Sequence, residues 1–154
     1  MRSAPKAPAS ILLLGYGNPG RGDDALGPLL IERIEPMLPD LPFGDRVECL
    51  IDFQLQIEHT EDLRHRDLVL FVDAHLTASP PFIFQRIQSD PDPHFSTHAL
   101  TPQSLMALHA AVHGCPPASY LLGIRGDAFE LGARLSPRAE AHLRDALEFS
   151  RTLL

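Results

Sequence analysis

The segment from Ile11 to Gly27, ILLLGYGNPGRGDDALG, places consecutive aliphatic residues before a glycine-rich turn and an acidic pair. A short, uninterrupted apolar run is typical of a central strand that is covered on both faces, as the strands of parallel sheets are. The glycines allow a tight turn, since glycine alone adopts positive φ without a steric penalty. Ligands of open α/β sheets bind at the carboxyl ends of the strands, so Asp23 and Asp24 are expected at the edge where chemistry takes place.

Alternating strand and helix patterns predict a three-layer α/β/α sandwich with a mostly parallel five-stranded sheet. Apolar runs place the strands at 11–14, 47–51, 67–72, 82–87 and 119–124, the fourth being suited to an antiparallel edge. Apolar periodicity places helices over 26–38, 56–63, 102–113 and 137–154. The length of 154 residues fits one domain, expected over 11–154 after a disordered or frayed tail at 1–10.

Helix starts are marked by residues that can satisfy free backbone amides. Asp23 or Asp24 is expected to cap the first helix, because a carboxylate accepts hydrogen bonds there and complements the helix dipole. Pro28 is compatible only with a first turn, so the regular helix is expected to begin just before it. Thr101 and Ser136, each followed by a proline, predict the starts of the last two helices.

Charge and cysteine content narrow the choice of partner and compartment. The formal net charge of -7 argues against a nucleic-acid partner, because phosphate-binding proteins usually present a basic patch. Two cysteines are too few for a disulfide framework and suit a reducing cytoplasm. The apolar run from Ile11 to Leu14 is too short for a signal-peptide core or a membrane span. We therefore expect a cytoplasmic protein with a protein or small-molecule partner and no membrane association.

Three chemistry-bearing residues are expected at the carboxyl edge of the sheet. Asp24 follows the first strand, and Asp73 follows the third, DLVLFV. His98 precedes a helix that leads back to a parallel strand, which brings it to the same edge. Two carboxylates and an imidazole offer oxygen and nitrogen ligands for a divalent transition metal and leave a position open for substrate. Taken singly, each of these residues could equally be a cap or a surface residue.

Other groupings are weaker candidates. His109 and His113 lie four apart on one helix face, as zinc ligands can, but HAAVH lacks the glutamate of the hydrolytic HExxH motif. A solvated or half-buried pair is the preferred interpretation. Asp90, Asp92 and His94 lie among prolines, where a stiff hydrated connection is the simpler interpretation. The sequence has no GxSxG motif and neither cysteine has a recognisable nucleophile setting, so a covalent serine or cysteine protease is not supported.

The turn GYGNPG matches GxGxxG after a strand, which raises a nucleotide-binding alternative. Asp23 and Asp24 would place negative charge where a pyrophosphate must bind. Asp52, the nearest acid at a strand end, lies further along the chain than this pattern requires. A nucleotide-binding module is therefore the least favoured hypothesis.

Four motifs in order make the chain resemble the maturation endopeptidases of nickel-iron hydrogenases. The family's opening pattern of strand, GxGN, acidic pair and glycine is similar to GYGNPGRGDDALG. Its second acid and its histidine fall in segments that resemble DLVLFVDA and FSTHAL. Its closing strand and the acid-Leu-Gly segment before the last helix resemble LLGIRGDAFELGARLSP. Together these motifs cover most of the chain.

This resemblance implies a hydrolase that cuts once. Enzymes of the family remove a carboxyl-terminal extension from the precursor of the hydrogenase large subunit after nickel has been inserted. By position in the motifs, Asp24 and Asp73 match the two acids that contact the nickel and His98 matches the third ligand, and the same three are the implied catalytic residues of an aspartic-type endopeptidase. Asp23 would orient or cap. The resemblance implies nickel carried by the precursor, or another divalent metal in its place.

The sequence departs from the family pattern at two places. The first acid is more often glutamate in relatives, so Asp24 reaches one methylene less far. After the second strand, many relatives have Asp-Gly-Gly-Thr, whereas this chain has IDFQLQIEHTEDL. That segment resembles the version found with soluble, bidirectional NAD-linked hydrogenases.

A metal-recognising endopeptidase acting on one protein partner is the leading hypothesis. The alternative from another class is a non-enzymatic nickel-binding chaperone that uses the same three residues. Such a chaperone would bind metal tightly on its own and would shorten no partner.

Overall fold

The computed structural model describes residues 9–90 and 100–154, and its centre is a five-stranded sheet. The strands are β1 (Ile11–Tyr16), β2 (Val47–Asp52), β3 (Leu68–His75), β4 (Phe82–Ile87) and β5 (Ala118–Arg125). They lie in the order β2-β1-β3-β5-β4, with β4 antiparallel to β5 and the other pairs parallel. This arrangement confirms the predicted α/β fold, including the antiparallel edge strand.

Four α-helices are present in the described part of the chain. They are α1 (Leu26–Ile34), α2 (His59–Asp62), α3 (Pro102–His113) and α4 (Pro137–Leu153), with 3₁₀ segments at Gly22–Ala25, Glu35–Asp40 and Gly44–Arg46. The apolar sides of α1 and α4 pack on one face of the sheet, and α3 and the residues after α2 pack on the other. No helix among the described residues is long and apolar enough to cross a membrane.

Alternation along β1 sends side chains into both layers of the core. Leu12 and Leu14 pack in the α2–α3 layer, and Leu13 packs in the α1–α4 layer. All three are almost completely buried, which stabilises the fold by about 1.5–3 kcal/mol each. β1 is paired on both of its edges, so it is the central strand that its apolar run predicts.

The first helix is shorter than predicted. It ends at Ile34, and the apolar repeat continues only as the 3₁₀ segment Glu35–Asp40. Pro36 and Pro39 explain the change, because a proline lacks the amide hydrogen that each α-helical turn needs. Pro28 lies in the first turn of α1, as expected.

The second predicted helix, 56–63, is reduced to the single turn His59–Asp62. The Gln56 amide donates a hydrogen bond to His59 Nδ1 at 2.8 Å, and the Thr60 hydroxyl donates to the Ile57 carbonyl at 2.9 Å. Such local bonds from side chains compete with regular helical hydrogen bonding. The segment therefore forms turns before its one helical turn.

The caps of the last two helices are confirmed. The hydroxyls of Thr101 and Ser136 accept the backbone amide three residues further on, at 3.1 and 3.2 Å. The spacing of apolar residues in the sequence predicts one face of α3 made of Leu105, Leu108 and Val112, but Val112 is 62% exposed, so that prediction is wrong for Val112. The buried side of the helix runs through Leu105 and His109 instead.

The predicted tail lies mostly outside the described residues, which begin at position 9. Ser10 is bonded to the residue before β3: its amide donates to Asp67 Oδ2 at 2.8 Å, and its carbonyl accepts from the Asp67 amide at 2.8 Å. The first strand begins at Ile11, where the sequence pattern predicts it.

Candidate functional site

The candidate site lies at the topological switch point of the sheet, between β1 and β3. From β1, the sheet extends to β2 on one side and to β3 and β5 on the other, and ligands of open α/β sheets bind beyond such a point. β1 pairs with β3 only as far as Gly15 and Val72, whereas β3 continues to His75 beside β5. β3 is thus longer than predicted, and Asp73 lies within it, at the first position beyond its pairing with β1.

The loop after β1 holds Asp24 at this position. Gly17 and Gly22 in this loop have positive φ, at +147° and +56°, and a Cβ on Gly17 would collide with the backbone oxygen of Asp24. The Asn18 amide donates to Asp24 Oδ2 at 2.7 Å, and the Gly20 amide donates to Asn18 Oδ1 at 2.8 Å. The Asp24 carboxylate is therefore held in place by a backbone amide of its own loop.

The prediction that Asp23 or Asp24 caps α1 is wrong. The chain enters the helix through the 3₁₀ segment Gly22–Ala25, and no side-chain hydrogen bond caps either element. The Asp24 carboxylate is bonded to its own loop instead, and the Asp23 carboxylate is bonded to the distant segment 127–136.

Asp23 is a buried anchor for the loop. It accepts the amides of Asp127 and Ala128 at 2.8 and 2.9 Å and the amide and hydroxyl of Ser136 at 2.7 and 2.9 Å. Burial by itself raises the pKa of Asp23, but these hydrogen bonds outweigh it and leave the pKa below its usual range. Backbone bonds between segments 20–23 and 128–133 reinforce the contact. The loop that carries Asp24 is thus fixed to the region before α4.

Asp24 and Asp73 line one cavity of about 360 Å³. The other lining residues are Tyr16, Gly17, Asn18, Arg21, Phe53 and Gln54. The sequence-based expectation that the two acids lie together is thus met by the structure. Tyr16 and Asn18 were not expected there.

The two acids influence each other electrostatically. Burial, together with the negative charge of Asp24, raises the pKa of Asp73 to about 7. The Ala74 amide and the Tyr16 hydroxyl, as hydrogen-bond donors, oppose that rise. Burial also raises the pKa of Tyr16 well above its usual range, and the nearby carboxylates of Asp73 and Asp24 add to the effect. A cation entering the cavity would relieve the repulsion between the carboxylates.

Tyr16 joins the site because of strand alternation. It follows Leu12 and Leu14 at a spacing of two and packs in the same layer, and Asp73 follows Phe71 in the same way on β3. The side chains of Tyr16 and Asp73 therefore share one face of the sheet. Extending the period of two beyond the apolar run would have found Tyr16 from the sequence.

His98, the third predicted ligand, lies in segment 91–99, outside the described residues. Its place beside Asp24 and Asp73 therefore stays a prediction. Within the described residues, no three His, Cys, Asp or Glu side chains are already arranged around one metal position. Asp24 and Asp73 supply two carboxylates, so a metal would need further ligands from His98 or from the substrate.

The acidic side chains around the loop disfavour the binding of a nucleotide. Asp24 faces the cavity that a pyrophosphate would have to share with Asp73. The Asp52 carboxylate lies 3.2 Å from His59 Nε2 and accepts the Phe53 amide at 2.7 Å, so it is engaged within the chain.

Several solved structures match the fold over almost the whole chain. The [NiFe] hydrogenase maturation protease HycI from Thermococcus kodakarensis is 24% identical, with a TM-score of 0.71 over 95% of this chain and 92% of that one. The hydrogenase maturating endopeptidase HybD from Escherichia coli is 26% identical, with a TM-score of 0.70 over 92% and 89%. A hydrogenase 2 maturation peptidase from a Thaumarchaeota archaeon is 20% identical, with a TM-score of 0.65 over 94% and 97%.

No protein-family model matches the sequence, and no curated protein matches it. The three structures are peptidases, in agreement with the prediction of a peptide-bond hydrolase. They do not confirm the subtype that acts on bidirectional hydrogenases. The chain has the fold of the [NiFe] hydrogenase maturation proteases, and its resemblance to that family is confirmed.

Proposed function

We propose that the chain is an endopeptidase that removes the carboxyl-terminal extension of a nickel-iron hydrogenase large-subunit precursor after nickel insertion. Asp24, Asp73 and His98 contact the nickel, which belongs to the substrate and arrives with it. The observation that carries the proposal is that Asp24 and Asp73 line one cavity at the point where β1 and β3 diverge.

The carboxylate pair suits a metal that is already partly coordinated by the precursor. Carboxylate oxygens and an imidazole nitrogen are acceptable ligands for a divalent transition metal with open positions. Asp73 must lose its proton before it can bind the ion. A precursor without nickel would bring no cation to the two carboxyl groups, so it would gain no binding energy from Asp24 and Asp73.

A second cavity of about 290 Å³ adjoins the first and shares Gly17 and Phe53 with it. Its lining includes Ile51, Leu29 and Pro28. Phe53 is 66% exposed and Ile51 is 45% exposed, and because both line this cavity they form an exposed apolar patch. This surface would receive an apolar side chain of the precursor next to the scissile bond.

The bound nickel could serve catalysis in two ways. As a Lewis acid it would polarise the scissile carbonyl, and as a recognition signal it would only position the peptide. Both roles need Asp24 and Asp73 ionised in the cavity. The subtype acting on a soluble, bidirectional NAD-linked hydrogenase, which the segment after β2 resembles, is part of the proposal.

The test is a cleavage assay with nickel-loaded and nickel-free precursor, followed by gel and mass spectrometry. We expect one cut in the loaded precursor only. Asp24→Ala, Asp73→Ala and His98→Ala should each reduce the rate at least about 100-fold, the usual scale for the loss of a catalytic group. Asp45→Ala, an exposed aspartate outside the cavity, is the matched control.

Cleavage that does not depend on nickel, or that survives in the three variants, would refute the proposal. Tight nickel binding by the isolated protein, without shortening of the precursor, would indicate the chaperone instead.

A further inference from the structure

Two histidines on α3 have buried ring nitrogens that make no hydrogen bond to any described residue. His109 and His113 lie on successive turns, and their ring centroids are 5.2 Å apart. His109 is only 4% exposed. In both rings, Nε2 is buried and has no hydrogen-bond partner in the described part of the chain. Buried polar atoms normally have a partner, because a donor or acceptor removed from water without one destabilises the fold.

The protonation state of His109 suits a metal ligand. Its Nδ1 lies 3.2 Å from the Gly114 carbonyl oxygen. A carbonyl can only accept a hydrogen bond, so Nδ1 carries the proton and Nε2 of the neutral ring bears the free lone pair. Burial lowers the pKa of His109, which favours the neutral ring. Metal-ligating histidines commonly donate their other ring nitrogen to a carbonyl in this way.

A carboxylate from α2 lies beside the pair. Glu61 Oε1 is 3.1 Å from His113 Nε2 but outside hydrogen-bond geometry. Ligands about 2.0–2.1 Å from one tetrahedral ion lie roughly 3.3 Å from each other. Two imidazoles bound to such an ion have their ring centroids roughly 5 Å apart. The spacing of the two rings and the distance from His113 to Glu61 are thus each close to the values expected for a pair of ligands on one metal.

We propose that His109 Nε2, His113 Nε2 and the Glu61 carboxylate form a site for a divalent transition ion, preferentially Zn²⁺, that ties α3 to α2. The described residues hold no complete set of three ligands as placed. Glu61, whose side chain is 62% exposed, completes the site by rotating away from Arg64, its partner at 3.2 Å. Water takes the fourth position. The site shares no residue with the cavity of Asp24 and Asp73.

The test is a Zn²⁺ titration of the metal-free full chain against a chromophoric chelator, in an Asp24→Asn/Asp73→Asn background that weakens binding at the other cavity. One Zn²⁺ per chain is expected. His113→Gln and His109→Gln should each weaken its affinity at least about tenfold, and Glu61→Gln about threefold. His65→Asn is the control, because His65 is exposed and has φ of +62°, which asparagine tolerates.

Substitution of the ion gives a second readout that does not depend on the stability of the variants. Co²⁺ should give the intense visible absorption of a tetrahedral complex, and His113→Gln should abolish it. His113 is less buried than His109, so replacing it disturbs the packing of the fold less. The proposal would be overturned if the double-Asn background did not bind Zn²⁺, or if the His113→Gln and His109→Gln variants bound it as tightly as that background does.

Discussion

Asp24 and Asp73 share a cavity in which the charge of one opposes ionisation of the other. Burial together with that charge raises the pKa of Asp73 to about 7, so this carboxyl is partly protonated at neutral pH. Its neighbours act in opposite directions: Asp24 favours the protonated acid, and the Tyr16 hydroxyl favours the carboxylate. Burial raises the pKa of Asp73, and two residues that can be changed separately, Asp24 and Tyr16, adjust it.

Nickel-dependent cleavage should increase with pH and reach half its maximum near pH 7. A raised pKa keeps the proton on Asp73 below that pH, and only the ionised form can bind the metal. Deprotonation of His98 over the usual histidine range, about 6 to 7, would act in the same direction. Initial rates on nickel-loaded precursor between about pH 5 and 9 test this expectation. A flat profile down to about pH 5 would contradict it.

Two variants should move the titration of Asp73 in opposite directions. Asp24→Asn removes the adjacent charge and should lower the pKa of Asp73, whereas Tyr16→Phe removes a hydrogen-bond donor and should raise it. Carbon-13 NMR of the aspartate carboxyl groups measures both shifts without requiring activity. Shifts of the same sign would show that a general change in solvation, not these two contacts, controls Asp73.

Asp23→Asn should destabilise the protein by about 3–5 kcal/mol, because it leaves buried amide donors without their charged acceptor. The pKa of Asp23 is lowered by folding, so its contribution is complete above about pH 4 and declines as the acid is protonated. Urea unfolding at neutral and acid pH checks both statements. Asp45→Asn, at an exposed position, should change stability by less than about 0.5 kcal/mol.

At the level of elements, the site depends on how closely α1 approaches the sheet. A Cβ on Gly27 would lie 2.5 Å from the Val72 carbonyl oxygen and 2.6 Å from that of Tyr16. The helix therefore rests almost directly on the backbones of β1 and β3. Since α1 follows the loop of Asp24, this contact also sets the position of Asp24 relative to β3.

Gly27→Ala should push α1 away from the sheet, destabilise the fold by about 1–3 kcal/mol, and reduce cleavage by more than this loss of stability explains. The measurements are urea unfolding and the cleavage rate under conditions where the variant is folded. Gly20→Ala is the control, because among the described residues a Cβ there would come close only to the Asn18 side chain, at 3.2 Å. Equal activity of the two variants would mean that the spacing of α1 does not matter.

Elements dictated by local pattern were predictable from the sequence. The apolar run at Ile11 marks the central strand, and the hydroxyls of Thr101 and Ser136 mark two helix starts. The extension of β3 through Asp73 depends on pairing with β5, which no local pattern contains. The reduction of the second helix depends on the bond from the Gln56 amide to the His59 ring.

The stability of the molecule as a whole depends on the site, because the buried Asp73 lowers the free energy of unfolding when it is ionised. Asp73 binds its proton more tightly in the folded state, so its contribution to stability falls as pH rises from about 4 to 7. Asp73→Asn should raise the free energy of unfolding by about 2 kcal/mol at pH 8 and by almost nothing near pH 4. Urea unfolding of both proteins at the two pH values measures the difference. An equal gain at both pH values would exclude the ionised carboxylate as the cause.

The candidate site was predictable only where it follows from the carboxyl edge of the sheet. Asp24 and Asp73 were placed at that edge from the predicted strands, although β3 itself continues two residues past Asp73, and His98 stays a prediction. Tyr16 required the correct length of β1, and the role of Asp23 required contacts with the segment before α4. Contacts between residues so far apart in the sequence arise from the packing of the whole chain. The sequence around Asp23 therefore cannot predict them.

The bonds of Asp23 also bear on the time at which the site forms. They join residues 104 to 113 positions apart, so the chain must close a long loop before they can form. Binding competence therefore depends on docking of the segment before α4. A chain in which that segment is displaced would keep its strands but would no longer hold Asp24 beside Asp73.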